Sequence, residues 1–386
     1  MARIFYLASG QLNLFNEQRT QIIPCESVEK HKKNLLQIQQ KKQWKTTGTG
    51  AHFMGLNEEH QDVDFMAIYP TGMIVIDENH LIYTASLEDG SSICLKNIHD
   101  LQEAEGLILR KSDFIIRDLD YDAETRRLVL SASESLDYEQ HLCVLALDGN
   151  SMQFITEGQC FDANPYFNPL NSQQIFYDTC GIAYDNGLDF SPKEICRLDL
   201  STGDLDTILS DEQYDFMKPQ VDQQGNLYCI QRPYSSGYHK ESPFLVLKNV
   251  VLAPVKIIKA VIGWLDFFTQ KYTGESLKTT SGANPAKTKQ KSEEELFIEG
   301  NLIKAKQSLE NNQKNGEKYP GFIPRSWQLI KIKPTGEKEV IKQGVMSFCI
   351  GNNIVIYSNG KHLIQLDENK NETLLCEDKL ISKIML

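Results

Sequence analysis

Apolar residues in this chain fall into short runs separated by turns of Asp, Asn, Gly and Pro. The first run, Ile4-Phe5-Tyr6-Leu7-Ala8, stands almost at the N-terminus, and two more follow at 11–15 and 20–23. The last, Leu380-Ile381-Ser382-Lys383-Ile384-Met385-Leu386, has no turn after it. Runs of this length bounded by turn residues predict strands. A terminal strand leaves a row of unpaired backbone groups, an edge that folded proteins usually cover. The simplest cover for the last strand is the first, so that one four-stranded sheet is assembled from both ends of the chain.

The interior repeats the same grammar. Leu119-Asp120-Tyr121-Asp122, Pro165-Tyr166-Phe167-Asn168 and Pro219-Gln220-Val221-Asp222 each lead through a polar turn into an apolar strand, at 127–132, 174–177 and 226–230. Third strands follow at 141–147 and 194–200, and fourth strands at 151–156 and 205–209. Four strands per unit, with anchors at Tyr121, Phe167 and Val221, fit the blade of a β-propeller. Setting aside two stretches that break the pattern, 26–63 and 237–325, leaves about 43 residues for each of six blades. The predicted fold is therefore all-β: a six-bladed propeller closed by its N- and C-terminal strands, with a helical insertion in blade five. The expected organisation is 1–25 with 380–386 as blade one and 26–63 as a helical strap and loop. Residues 64–236 make blades two to five (first half), 237–325 the insertion, and 326–379 the rest of blade five and blade six.

The smaller insertion reads as a Lys/Gln-rich helix over 27–44, with a thin apolar stripe at Val28, Leu35, Ile38 and Trp44. The larger one departs further from strand grammar. Residues 244–268 hold four charges, Lys248, Lys256, Lys259 and Asp266, and on a helical wheel these share one narrow sector. Pro254 divides the segment into helices over about 244–252 and 254–270. Three explanations fit: packing on the propeller, an interfacial membrane helix, or contact with a partner protein. The contact residues in either of the last two are Lys256, Ile257, Ile258, Lys259, Trp264, Phe267 and Phe268. Residues 277–291 read as a basic linker, and a helix is predicted from an N-cap at Ser292 to about Asn311.

Charge sharpens this division. The chain carries a net −12, which argues against nucleic acid as a main partner. Yet 26–45 has six Lys against two Glu, and 244–292 eight Lys against Asp266 and Glu275. An acidic body with two basic insertions directs the search for a partner to those insertions, with an anionic membrane surface or a protein as candidates. The nine cysteines stand singly, without zinc-ligand spacing, and residues 1–10 lack a signal-like apolar core; both predict a reduced, cytoplasmic protein.

Catalytic motifs are missing: there is no H-E-x-x-H, G-x-S-x-G, Walker loop or G-x-G-x-x-G. His52, His60, His80, His99, His141, His239 and His362 are isolated in sequence, and the acidic run around Glu58 to Asp64 reads as a loop. No catalytic residue is assigned. Carboxylates at the inner strands offer one alternative. Asp120, Asp162, Asn164 and Asp215, with Asp118 and Asp122 beside them, would gather round a propeller axis, where oxygen ligands suit Ca2+.

Asn164-Pro165-Tyr166-Phe167-Asn168-Pro169, followed by Gln174-Ile175-Phe176-Tyr177, resembles the repeat of TolB-like, or WD40-like beta, six-bladed propellers. The 219–230 segment resembles it more weakly, and Asn168-Pro169-Leu170-Asn171 lacks the family's Asp-Gly turn. The resemblance implies the fold and carries little function, because propellers host binding proteins and enzymes alike. The expected function is a non-enzymatic binding or scaffold protein, peripherally membrane-associated through 244–270. The alternative is a lactonase- or lyase-type propeller enzyme with an axial metal.

Overall fold

The structure, a computed structural model, describes residues 3–46, 68–87, 89–134, 139–184, 189–234, 295–298, 301–351, 354–378 and 380–386. Blade one opens with β1 (Ile4–Ala8), β2 (Gln11–Asn16) and β3 (Arg19–Ile23), and helix α1 (Glu26–Thr46) follows. Blade two is β4 (Tyr69–Val75), β5 (His80–Leu87), β6 (Gly90–Asn97) and β7 (Gly106–Ser112). Blade three is β8 (Ile115–Asp122), β9 (Arg127–Ser133), β10 (His141–Ala146) and β11 (Gln153–Phe154). In blade four, β12 (Cys160–Phe167) and β13 (Gln174–Ala183) are followed by a short β14 (Asp189–Phe190) that pairs antiparallel with the end of β13, then β15 (Glu194–Asp199) and β16 (Leu205–Leu209).

Blade five starts with β17 (Tyr214–Val221) and β18 (Leu227–Pro233). A hairpin of β19 (Glu295–Ile298) and β20 (Asn301–Lys304), then helix α2 (Ala305–Lys314), precede its second half, β21 (Gln328–Ile332) and β22 (Lys338–Gln343). Blade six is β23 (Ser347–Gly351), β24 (Ile354–Ser358), β25 (His362–Asp367) and β26 (Glu372–Glu377). Finally β27 (Lys383–Met385) returns to pair antiparallel with β1, placing Tyr6 opposite Ile384. The ring of six closes on that ladder, as the unpaired terminal runs predict.

Period-two alternation explains the core. Neighbouring residues of one strand enter different clusters, each filling the space between two blades. Leu128 faces blade two while Val129 faces blade four; Ile175 faces blade three while Phe176 faces blade five. The second strand of a blade is thus buried on both faces and carries an unbroken apolar run, as Leu128 to Leu130 does. Outer strands turn one side to water, which leaves Ile22, Leu107, Leu205 and Leu374 exposed.

Two sequence expectations change. The helix predicted over 292–311 is a hairpin followed by a shorter helix. Glu295-Leu296-Phe297-Ile298 and Asn301-Leu302-Ile303-Lys304 are short apolar runs that pair, with Ile298 opposite Asn301, and the helix begins only at Ala305. The strand expected at 151–156 shrinks to Gln153–Phe154. In α1, Val28 and Leu35 pack on the core as predicted, but Ile38 is 46% exposed. The helix is anchored by its first turn instead. The Glu105 carboxylate accepts from the backbone N–H of Glu26 and Ser27, both at 2.8 Å, and from Tyr83 Oη at 2.6 Å. A carboxylate at the positive end of a helix stabilises it. The predicted helices of 244–270, the linker of 277–291 and the acidic run near Glu58 lie outside the described residues.

Consecutive antiparallel strands give the ring two ends. Connections from second to third strands, and from an outer strand to the next inner strand, share one end; the remaining turns share the other. The chain after β3 and the chain after β18 are of the first kind. Both insertions therefore leave the ring from the same end.

Candidate functional site

The inner strands β8, β12, β17, β23 and β27 line a central cavity of about 220 Å3. Two of them carry matched irregularities. In β12 the ladder skips Asn164 and Pro165, and in β17 it skips Lys218 and Pro219. Proline has no N–H to give a ladder and is accommodated at such bulges. Asn164 and Lys218, just ahead of the prolines, adopt φ of 49° and 56°. Both are held by one carboxylate. Asp178, fully buried, accepts from Asn164 Nδ2 at 2.6 Å, the Lys218 backbone N–H at 2.9 Å and Lys193 Nζ at 2.7 Å. Burial pushes its carboxyl up, and the Lys193 ammonium opposes that.

Within the cavity the polar groups are engaged with the protein itself. Lys383 pairs with Asp118 and donates to the Leu119 carbonyl at 3.0 Å. Lys218 Nζ points to the carbonyls of Met346 (3.5 Å) and Ser382 (3.4 Å). The Gln220 amide bridges β17 to β23, donating to the Phe348 carbonyl at 3.1 Å and accepting from Ile350 N–H at 3.0 Å. Asp120 accepts from Phe167 N–H at 2.7 Å. Burial raises the Asp120 carboxyl to about 6, against the pull of that N–H and of Lys383.

The four residues expected at the axis separate. Asp120 and Asn164 line the cavity. Asp215 turns to Arg232 Nε (2.8 Å) and Lys193 N–H (3.0 Å), away from it. Asp162, 2% exposed, accepts from Thr156 Oγ1 and Thr179 Oγ1, each at 2.6 Å. Asp122 caps a turn by accepting from Thr125. The contact residues expected between Lys256 and Phe268 lie outside the described residues.

A second constellation stands at the end of the ring that bears the insertions. His141 opens β10, and Cys160 and Asp162 open β12 of the next blade. His141 Nδ1 is 3.6 Å from Cys160 Sγ and 3.9 Å from Asp162 Oδ2. Burial and the Asp162 carboxylate push the Cys160 thiol up to about 12. Sequence reasoning treated His141 as isolated. It and Cys160 stand 19 residues apart on different blades, and only the packing of blade three on blade four joins them.

No protein-family model and no curated protein matches the chain. Solved structures do. A structure of a nidogen/laminin complex aligns at 9% identity and a TM-score of 0.50, over 99% of this chain and 97% of that one. TolB from Acinetobacter baumannii aligns at 9% identity and a TM-score of 0.49, over 99% of this chain and 66% of that one. An oligogalacturonate lyase from Vibrio parahaemolyticus aligns at 10% identity and a TM-score of 0.37, over 81% and 80%. At such identities the likeness is one of fold. The fold itself is the six-bladed propeller that the repeat resemblance implies.

Proposed function

We propose that this protein is a non-enzymatic binding protein whose working surface is the end of the propeller bearing both insertions. The observation that carries this reading is the shared exit: the chain after β3 and the chain after β18 leave the ring at one end. Both lead into Lys-rich sequence on an otherwise acidic protein. Opposite charge on one face and body gives orientation as well as attraction to an acidic surface. The central cavity supports the same reading. At about 220 Å3 it is smaller than the roughly 300–1,000 Å3 of ordinary small-molecule sites, and its carboxylates and amines bond to the protein.

The finer proposal is that 244–270 meets an anionic membrane, with a protein partner recruited to the same end. The support lies in the sequence: Lys248, Lys256 and Lys259 in one sector, and Trp264, Phe267 and Phe268 outside it. Among the described residues no helix is long and apolar enough to cross a membrane. Lysines near an anionic surface contribute about 1 kcal/mol each. The test is sedimentation with phosphatidylserine-containing vesicles, using the full chain, a 244–292 deletion and the pair Ile258→Asp with Phe267→Asp. Only the full chain should pellet, and salt should weaken its binding in part because the apolar contribution is unscreened. With Trp44 and Trp327 replaced by Phe, Trp264 emission should shift to the blue. A full chain that ignores vesicles, together with a double variant that unfolds, would assign the helices to internal packing instead.

A further inference from the structure

We infer that His141, Cys160 and Asp162 form a three-ligand site for a zinc-class transition metal, open at its fourth position. The inference stands apart from the membrane reading and uses none of the residues that reading needs. Three different donor types converge here: imidazole Nδ1, thiol Sγ and carboxylate Oδ2 all lie within 4.8 Å of one another. Around a tetrahedral zinc, bonds of about 2.3 Å to sulfur and 2.0–2.1 Å to nitrogen put those two ligand atoms about 3.6 Å apart. The observed separation of His141 Nδ1 from Cys160 Sγ is 3.6 Å. Nitrogen and oxygen ligands would stand about 3.3 Å apart. Here they are 3.9 Å apart, a gap closed by a small rotation of the half-buried imidazole.

The surroundings are built for a ligand. Asp162 is 2% exposed, and the hydroxyls of Thr156 and Thr179 fix both its oxygens. Hydrogen bonds of that kind orient first-rank ligands and are worth about 10–100-fold in metal affinity. A thiolate and a carboxylate supply two negative charges, which a divalent ion balances. Of the nearby cations, Lys193 is paired with Asp178, and Arg117 lies over the Phe161 ring. The mixed sulfur, nitrogen and oxygen set suits zinc or cobalt, whereas Ca2+ and Mg2+ take oxygen donors.

A Cys–His–Asp relay would need the thiol on one imidazole nitrogen and the carboxylate on the other. Here both approach Nδ1, the arrangement of ligands round a common ion. His141 and Cys160 are part-exposed. The fourth position therefore opens at the insertion-bearing end, to water or to a donor atom from a bound partner.

The test uses the tag-free full chain, stripped with chelator and dialysed against Zn2+ or Co2+. The wild type should retain about one zinc per chain, show a thiolate-to-cobalt charge-transfer band, and melt higher with zinc than without. Cys160→Ser and His141→Gln, each checked for an unchanged metal-free melting temperature, should lower affinity by at least tenfold and lose the band. Thr179→Val should weaken binding about 10–100-fold with the band retained. Zinc uptake equal in wild type and Cys160→Ser would place the metal on other thiols and overturn the site. So would a wild type whose melting temperature ignores zinc, which would leave His141 and Asp162 as an ion pair.

Discussion

Asp120 sits in the wall of the central cavity as a buried carboxylate, and replacing it with Asn should stabilise the protein at neutral pH. Its carboxyl moves from an ordinary 3.8 to about 6, chiefly because burial disfavours the charge. The folded protein then holds this proton up to about pH 6, while the unfolded chain releases it near 3.8. Between those values the folded state binds more protons, so stability falls as pH rises. The favourable contribution is fully present below about 3.8 and is lost as pH passes 6. At about 1.4 kcal/mol per unit, the whole window is worth about 3 kcal/mol, of which about 2 lies between pH 4 and pH 7. Asn keeps an oxygen to accept from Phe167 N–H, a bond of 2.7 Å in the wild type, and never ionises. Urea unfolding of both proteins at pH 4 and pH 7 reads the difference directly, since every other titrating group is common to both. Asp120→Asn should gain about 2 kcal/mol on the wild type over that interval. A difference that does not move with pH, or that favours the wild type as pH rises, would show that Lys383 keeps the carboxylate ionised and would refute the burial argument.

Ring closure and the contacts of Asp178 make further predictions. Ile384, 1% exposed between blades, should cost about 2–5 kcal/mol on truncation to Ala. Deleting 380–386 should expose the β1 edge and cause aggregation, visible by gel filtration and thermal melting; a monomer with the wild-type melting temperature would refute closure. Asp178→Ala should cost about 3–5 kcal/mol in urea, because it removes the fully buried carboxylate that accepts from Lys193 Nζ, the Lys218 N–H and Asn164 Nδ2. Asp178→Asn should lose less, and a loss under about 1 kcal/mol for the Ala variant would remove the Asp178 contacts from those that stabilise the ring.

The strands of this protein are legible in its sequence because a blade obeys local rules. Second strands such as β9 are buried on both faces and read as continuous apolar runs, turns hold Asp and Pro, and the terminal runs need each other. Residues 292–311 were harder. Glu293-Glu294-Glu295 satisfies the preference of a helix start for acidic residues, yet Leu296-Phe297-Ile298 and Leu302-Ile303 are also short apolar runs on either side of Gly300, and pairing selected the hairpin.

Side-chain partners followed no such local rule. Asp120, Asp162 and Asp215 all lie in inner strands, yet one lines the cavity, one meets Thr156 and Thr179, and one meets Arg232. Bulges at Asn164 and Lys218 shift the pleat, and a shift of one residue turns a side chain to the opposite face. Sequence by itself determined the number of blades, their closure and the basic insertions, because hydrophobic period and charge are properties of neighbouring residues. Tertiary structure alone decided that His141 meets Cys160 and Asp162, because those contacts form where separate blades pack and no pattern along the chain encodes the distance between them.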